Sequence, residues 1–236
     1  MLKPSFVPLR ANLGQQVYQY LIDKIYKMEI EPGTQLGIGE ISDQLGVSRS
    51  PVRDAFLRLL AEGVLELLPS GSYRVIQFTR KYIDDVFVVR HALELTAVKL
   101  SVQNLERARI QRLRDIWSQF LDLDRSDPTL LDRHGDADQE LHQTIAEMSG
   151  NLLLKDALDK IIAIAHLIRR WHYAGEIPYE QLILTAEEHL RLLDAMLEGD
   201  SNAAVVALDD HLSTAHARTI ERLDSAASRA PIKYSK

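Results

Sequence analysis

The sequence predicts a mostly α-helical protein, in which a small domain of three helices and a β-hairpin precedes an antiparallel six-helix bundle. Within residues 1–78, three segments with apolar residues at helical spacing are followed by two short β-rich runs around a glycine turn. From residue 79 onward only helical periodicity remains. The chain has 236 residues and is 46% hydrophobic, which is enough for packed cores in two domains.

The N-terminal domain is predicted to contain three helices and a hairpin. Val17, Leu21 and Ile25 give the first helix one apolar face. Gly46 closes the second helix, and Gly71 suits a turn that needs a positive φ. Three helices followed by a hairpin form a winged helix-turn-helix. The predicted elements are helices over residues 13–28, 38–45 and about 49–62, a short strand at 34–36, and the hairpin strands at 64–68 and 73–76.

The third helix carries the most specific pattern in the chain. Arg49 and Arg53 lie four residues apart, Pro51 falls in the first turn, and Ser48 or Ser50 can cap the helix. Such a helix suits the DNA major groove, because arginine reads guanine edges and hydroxyl groups hold phosphates. A solvated face that only adds solubility is the alternative. The opposite face is apolar and is predicted to enter a core: Val52, Phe56, Leu59 and Leu60.

The second domain is predicted to contain helices alone. Asn104, Asp200 and Ser201 are expected helix caps. Breaks at glycine and proline separate helices over residues 80–102, 105–125, 130–149, 152–173, 179–198 and 201–226. The predicted domains are therefore a winged helix-turn-helix at 1–78, a metal- and ligand-binding, dimerising bundle at 79–227, and a flexible tail at 228–236.

Charge and composition narrow the class of protein. Residues 1–78 carry eight basic and eight acidic side chains, so the net charge of −6 belongs to the remainder. This balance is compatible with DNA binding through clustered arginines, but it predicts weak non-specific affinity for DNA.

The absence of cysteine fits a reducing cytoplasm. The first eight residues lack an apolar signal region, and no uncharged run approaches the roughly 18 residues of a membrane helix. We therefore expect a cytoplasmic protein.

Three stretches of the N-terminal domain occur in a characteristic order: EPGTQL at 31–36, ISDQLGVSRSPVRDA at 41–55 and LLAEGV at 59–64. They resemble the GntR family of bacterial transcription regulators. The resemblance implies an operator-binding surface made of Ser48, Arg49, Ser50, Pro51, Arg53 and, at the wing tip, Gly71. Many relatives also have a charged residue within 37–39, where this chain reads Gly-Ile-Gly, and a basic residue at position 70, where it has Ser70. We expect both departures to affect the strength of DNA binding, with Arg74 as a partial substitute.

Short motifs extend the resemblance to the second domain: VRHALE at 89–94, DQELH at 138–142, SGN at 149–151, EH at 188–189 and His211. They are similar to the ligand-binding (FCD) domain of the FadR-type subgroup. Six helices instead of seven are typical of its VanR-like branch.

Four residues at these positions are candidate metal ligands. Asp138 and His142 share a helix face at i, i+4, which fits either one bound cation or an ion pair between the two. His189 and His211 lie on later helices, and side chains of facing helices converge inside a bundle. The resemblance implies that all four are metal ligands. One carboxylate and three imidazoles suit Zn²⁺, Ni²⁺, Co²⁺ or Mn²⁺.

Arg90 is the predicted effector-binding residue. It matches a residue that points into the ligand cavity of this subgroup, where a guanidinium would bind a small carboxylate in a bidentate pair. A surface ion pair with Glu94, four residues later, is the alternative. The cavity is also expected to involve Leu167, Trp171, His172 and Tyr173.

These observations predict a DNA-binding transcription regulator, a repressor in the simplest case, whose metal-containing bundle senses a small organic acid and alters operator binding. A two-fold operator implies a homodimer. Two alternatives remain: a metal-dependent enzyme with an accessory winged helix, and a regulator with a purely structural metal. The sequence has no candidate general base at the spacing of a catalytic motif, and it has no H-E-x-x-H motif. No catalytic residue is therefore predicted. The candidate dimer seam is Tyr82, Val86, Val89 and Leu93.

Overall fold

The computed structural model describes residues 12–122, 124, 126–127, 129–172 and 178–229. The chain divides after Thr79 into two compact units. The first contains α1 (Leu13–Tyr26), β1 (Gln35–Leu36), α2 (Ile38–Leu45), α3 (Arg49–Ala61), β2 (Leu65–Leu67) and β3 (Tyr73–Val75). The second contains α4 (Arg80–Gln103), α5 (Arg107–Gln119), α6 (Leu130–Met148), α7 (Leu152–His172), α8 (Tyr179–Glu198) and α9 (Ser201–Arg229). The mostly helical fold, with a winged helix-turn-helix before a six-helix bundle, is confirmed.

In the first unit, α1 packs against α3 and the three strands form a small antiparallel sheet in the order β1-β3-β2. The buried apolar faces largely follow the predicted spacing, with Val17 and Leu21 on α1 and Val52 and Leu59 on α3 fully enclosed. Leu60, also predicted to enter this core, is only half-buried. The ring of Phe56 meets that of Tyr73 edge to face, with centroids 4.9 Å apart. Because one ring belongs to α3 and the other to β3, this contact fixes the helix against the hairpin.

Glycines make the two turns that orient α3 and the hairpin. Gly46 ends α2 with φ 66°, so the chain can reverse into α3. Gly71 has φ 82° at the exposed tip between β2 and β3 and donates its N–H to the Leu68 carbonyl (2.9 Å). A side chain at either position would be strained in this left-handed conformation.

In the second unit, α4 packs against α6, α7 and α9, and α8 lies against α5 and α9. The core between them is apolar and includes Trp117, Leu141, Ile145, Leu192 and Leu212, all fully or almost fully buried. No helix in the described part of the chain has both the length and the apolar character needed to cross a lipid bilayer.

Two helix ends differ clearly from the sequence prediction. α5 stops at Gln119 instead of about 125, and beyond it the Asp124 carboxylate accepts the backbone N–H of Ser126 (2.8 Å), a local bond that competes with helix formation. α9 reaches Arg229, so residues 228 and 229 are helical, and the rest of the predicted tail lies outside the described residues.

Of the expected caps, Asp200 is confirmed, because its carboxylate accepts the N–H groups of Asn202 (3.0 Å) and Ala203 (2.9 Å). Ser201 is instead the first residue of α9. The assignment of Asn104 as the cap of α5 is wrong, since Glu106 occupies the N-cap position. The Asn104 amide instead donates to the Ser149 carbonyl (3.3 Å) on another segment.

The candidate dimer seam is only partly available for contact with a second chain. Val86 is buried inside the bundle, with 4% of its surface exposed, so its place in the seam is wrong. It faces inward because α4 packs on three other helices. Tyr82 and Leu93 are half-buried and Val89 is exposed.

Candidate DNA interface and candidate metal centre

The exposed side of α3 carries two arginines that no other described residue engages. Arg49 and Arg53 are exposed, and neither forms a hydrogen bond or ion pair with another described residue. On the same helix, Arg58 donates to Glu62 (2.9 Å) and to Gln15 (2.5 Å). The two arginines at the N-terminal end of α3 therefore keep their full donor capacity for an external acceptor.

The other predicted contact residues differ in their availability. Ser48 occupies the N-cap position and Ser50 the first turn, and both are exposed, but Ser48 forms no side-chain capping bond. Its hydroxyl is therefore not used within the helix, contrary to the capping role expected for it. Pro51 is buried, so it offers little surface for the direct DNA contact predicted for it. Arg74 donates to Glu66 (2.8 Å) within the hairpin, which ties it to the wing itself.

The bundle brings together the four residues expected to bind metal. Asp138 and His142 lie on α6, His189 on α8 and His211 on α9. Each offers one ligand atom, and these atoms all lie within 4.8 Å of one another. The three imidazoles are buried, whereas the Asp138 side chain keeps 16% of its surface exposed. We call this group the Asp–His cluster.

The spacing of its donor atoms suits one metal ion. Two donors that are each about 2.1 Å from the same ion, at an angle of 90–110°, lie roughly 3.0–3.4 Å apart. The Nε2 atoms of His189 and His211 are 3.2 Å apart, within this range, whereas the 3.6 Å between His189 Nε2 and Asp138 Oδ1 is slightly longer. The donor set of three imidazoles and one carboxylate is one that divalent transition metals accept.

Two buried carboxylates orient two of the imidazoles. Glu94 Oε2 lies 2.5 Å from His142 Nδ1, and Glu188 Oε2 lies 3.0 Å from His211 Nδ1. A carboxylate only accepts, so the His211 proton sits on Nδ1 and its lone pair on Nε2. At His142 the Arg90 guanidinium, a donor next to Nε2, favours the same tautomer. Carboxylates behind ligating histidines commonly fix the tautomer in this way. The Nε2 atoms therefore carry the lone pairs that a metal would use, and that of His142 accepts from Arg90 Nη2 (3.3 Å) in this structure.

Electrostatics keeps the cluster in the protonation state that metal binding requires. Burial lowers the pKa of His189 well below its usual range, and the neighbouring His211 lowers it further. Burial also lowers the pKa of His211. Burial opposes ionisation of Asp138, but Arg169 and the imidazoles of the cluster together outweigh it and hold the pKa of that carboxyl well below its usual value. These two imidazoles and the carboxylate thus have the neutral and ionised forms that bind cations.

Next to the Asp–His cluster lies a small cavity that is partly open to solvent. Three arginines line it, Arg90 from α4, Arg169 from α7 and Arg218 from α9, together with Asp138 and His211 of the cluster. We call it the arginine pocket. Guanidinium groups are the usual protein partners of carboxylates and phosphates, so the pocket suits an anion.

The sequence leaves two roles open for Arg90, a place in the ligand cavity and an ion pair with Glu94, and the structure has features of both. Its Nε donates to Glu94 (2.6 Å), but the pair is buried and not on the surface. Its Nη2 lies 3.3 Å from His142 Nε2, and the residue also lines the arginine pocket. Burial opposes ionisation of Glu94, but Arg90 and His142 more than compensate and hold its pKa at about 2. Arg90 thus connects the pocket to the Asp–His cluster.

Comparison with known proteins identifies the family. The profile described as "Bacterial regulatory proteins, gntR family" matches residues 13–75, and the FCD domain profile matches residues 85–214. Together they cover most of the chain. The protein belongs to the GntR family of regulators, with a C-terminal FCD domain.

Relatives within the GntR family agree with this assignment. The HTH-type transcriptional repressor RspR of Escherichia coli is 25% identical over 201 residues, 85% of this chain and 86% of RspR. A probable D-xylose utilization operon transcriptional repressor of Paenarthrobacter nicotinovorans is 26% identical over 216 residues, 86% of this chain and 87% of that protein. The structure of E. coli McbR/YncC superposes with a TM-score of 0.72 at 23% identity, covering 89% of this chain and 98% of McbR.

These findings place this GntR-family chain among transcription regulators that bind DNA through a helix-turn-helix, and not among enzymes.

Several residues around its candidate metal centre were not predicted as site residues. His134 lies four residues before Asp138 on the same face of α6, so its spacing was a usable signal. Three further residues reach the site from other helices: Glu188, Arg169 and Arg218. Helical periodicity does not indicate which helices pack together, so it could not identify these residues.

Of the residues expected to shape the cavity in this family member, Leu167 is fully buried in the bundle. Neither Leu167 nor Trp171 is among the residues that line the arginine pocket. Tyr173 and the side chain of His172 lie outside the described residues.

Proposed function

We propose that this regulator is a repressor that binds a two-fold operator as a homodimer, and that a small organic acid changes its operator affinity through the bundle. The proposed metal ligands are Asp138, His142, His189 and His211, and Arg90 is the proposed carboxylate-binding residue. The proposed DNA contacts are Ser48, Arg49, Ser50, Arg53 and the backbone at Gly71.

One observation carries the effector proposal: the Asp–His cluster opens onto a pocket that three arginines line. When bound, a divalent metal would supply a Lewis-acidic centre with coordination positions left for carboxylate oxygens. Arg90 would orient the acid, because its guanidinium lines the pocket and is held in place by Glu94. A purely structural metal would not require guanidinium groups in the cavity next to the ligands.

The same contacts suggest how the acid acts on the bundle. Arg90 is on α4, and His211 and Arg218 are on α9, which packs directly against α4. An acid that binds these side chains more tightly in one arrangement of the two helices shifts the population toward that arrangement. By linkage, DNA that prefers the other arrangement then binds less tightly.

The test is operator binding by the full-length protein, with DNA selected by the protein from random sequence. Fluorescence anisotropy is measured with Zn²⁺ present, with a chelator, and with a panel of carboxylic acids in each condition. We expect an acid to weaken operator binding only when metal is present, and Arg90→Gln to abolish this response. Arg191→Gln, at an exposed position of α8, is the matched control and should respond as wild type does.

Two results would contradict the proposal. If chelation lowers the stability of the bundle and no acid changes operator affinity, the metal is structural. If metal analysis finds no divalent ion in protein purified without chelator and none that binds afterwards, the Asp–His cluster is not a metal site.

A further inference from the structure

Each arginine of the arginine pocket holds a carboxylate that belongs to the Asp–His cluster or supports it. Two of these carboxylates face the Nδ1 atoms of His142 and His211, and the third is the cluster residue Asp138 itself. The N–O distances are 2.6 Å for Arg90–Glu94, 3.2 Å for Arg169–Asp138 and 2.8 Å for Arg218–Glu188. Three positive and three negative side chains therefore balance in this region.

A divalent cation changes this balance. The imidazoles of a metal site are neutral, so they add no charge. With the ion in the Asp–His cluster, the three arginines and three carboxylates leave a net charge of +2 in a region that is mostly shielded from water. Uncompensated buried charge is costly, and a ligand with matching charge removes the cost. A monocarboxylate neutralises half of this charge, whereas a ligand with two carboxylates neutralises all of it.

The three guanidiniums are also not equally committed to protein partners. Arg169 contacts Asp138 and both Nδ1 and the carbonyl oxygen of His134. Arg218 is the most exposed of the three, at 22% of its side chain, and it donates to Glu188 through Nη2 and over a long 3.3 Å contact to Thr185 Oγ1 through Nη1. A guanidinium has five N–H donors. Arg218 therefore retains donors for an additional acceptor in the pocket.

From this we infer that the effector is a dicarboxylate, with one carboxylate directed to Arg90 and the metal site and the second bound by Arg218 beside the Thr185 hydroxyl. The inference rests on the proposed function, since it specifies the class of acid that the same pocket takes. Arg218 is then the residue that determines specificity between acids with one and two carboxylates. Arg169 keeps Asp138 oriented in this arrangement and does not contact the second carboxylate.

The experiment compares acids of equal carbon number on the Zn²⁺-loaded full-length protein. Isothermal titration calorimetry measures malonate against propionate, succinate against butyrate, and glutarate against valerate. A charge-assisted hydrogen bond is worth roughly 1.5–3 kcal/mol, about 10- to 100-fold in affinity. We expect at least one dicarboxylate to bind about 10-fold or more tightly than its partner, and Arg218→Gln to bring the ratio of the two affinities close to one.

Arg218→Gln also removes a partner of Glu188, so zinc stoichiometry is measured for every variant. If the glutamine variant loses zinc, Arg218→Lys provides the test, because lysine retains the charge opposite Glu188 but not the bidentate fork. Arg191→Gln should retain the wild-type preference. Equal binding of both acid classes, or a preference that survives in the Arg218 variants, overturns the dicarboxylate inference alone. If no acid of either class binds the zinc-loaded protein, the proposed function fails together with it.

Discussion

At the scale of single residues, the difference between paired and unpaired arginines on α3 predicts which side chain reads DNA. Arg53 is exposed and forms no hydrogen bond or ion pair with other described residues, whereas Arg58, five residues later, donates to Glu62 and Gln15. Arg53→Ala should weaken specific operator binding by about 1–3 kcal/mol and relax the preference at one base position. Anisotropy titrations with single-base operator variants measure both effects. Arg58→Ala is the matched control and should have a much smaller effect. Equal losses in the two variants would remove Arg53 from the reading surface.

His189 is the residue whose loss should affect the metal most directly. It is fully buried, and its Nε2 lies close to both His211 Nε2 (3.2 Å) and Asp138 Oδ1 (3.6 Å). His189→Ala should therefore reduce bound zinc sharply, as measured by plasma emission spectrometry on dialysed protein, while the operator-binding unit stays folded. His91→Ala, which removes a partly exposed imidazole paired with Asp209, should keep full stoichiometry. Zinc retained at one equivalent in the His189 variant would contradict the ligand set.

The sequence could reveal the ligands more easily than the groups that support them. Asp138 and His142 lie on one helix at a spacing that places them on one face, and the structure brings them together with His189 and His211. Glu188 directly precedes the ligand His189 on α8, so helix geometry directs its side chain about 100° away from that of His189. That direction is what allows it to meet His211 on the facing α9. Such contacts depend on helix packing, which no spacing along one helix encodes.

At the scale of elements, helix limits were predictable where a side chain or a glycine fixes them. Gly46 ends α2 and Asp200 begins α9, as expected. The prediction failed for Ser48, which has the capping position without the capping bond, and for Asn104, whose amide is used by the neighbouring segment at Ser149. Serine and asparagine bond to many kinds of partner, so their presence before a helix does not decide the contact.

The cap of α9 gives an element-scale prediction. The Asp200 carboxylate accepts two backbone N–H groups of the first turn, and its negative charge also suits the positive end of the helix. Asp200→Ala should lower the free energy of unfolding of the bundle by about 1 kcal/mol, whereas Asp200→Asn should recover much of that loss. Urea denaturation measures both variants. An unchanged midpoint in the alanine variant would mean that solvent satisfies these N–H groups equally well.

At the scale of the whole molecule, acid should destabilise the bundle even without metal. His134 and His166 are buried, and burial, reinforced by the charge of Arg169, lowers their pKa values to about 3 and about 4. In the unfolded chain both titrate near 6.5. Below pH 6.5 the unfolded state therefore binds more protons than the folded state, so the free energy of unfolding falls as the pH falls. The loss from His166 ends near its folded pKa of about 4, and that from His134 near 3.

This prediction can be measured on the full chain, because both tryptophans, Trp117 and Trp171, belong to the bundle and their fluorescence reports its unfolding. Each histidine should contribute a slope of about 1.4 kcal/mol per pH unit. In urea titrations with chelator between pH 6.5 and 4.5, His166→Gln should reduce the wild-type slope by about that amount, whatever its effect on stability at neutral pH. The comparison of slopes separates proton linkage from any packing defect, since a defect shifts the curve without changing its pH dependence. Parallel curves for the two proteins would mean that His166 takes up its proton in the folded bundle as readily as in the unfolded chain.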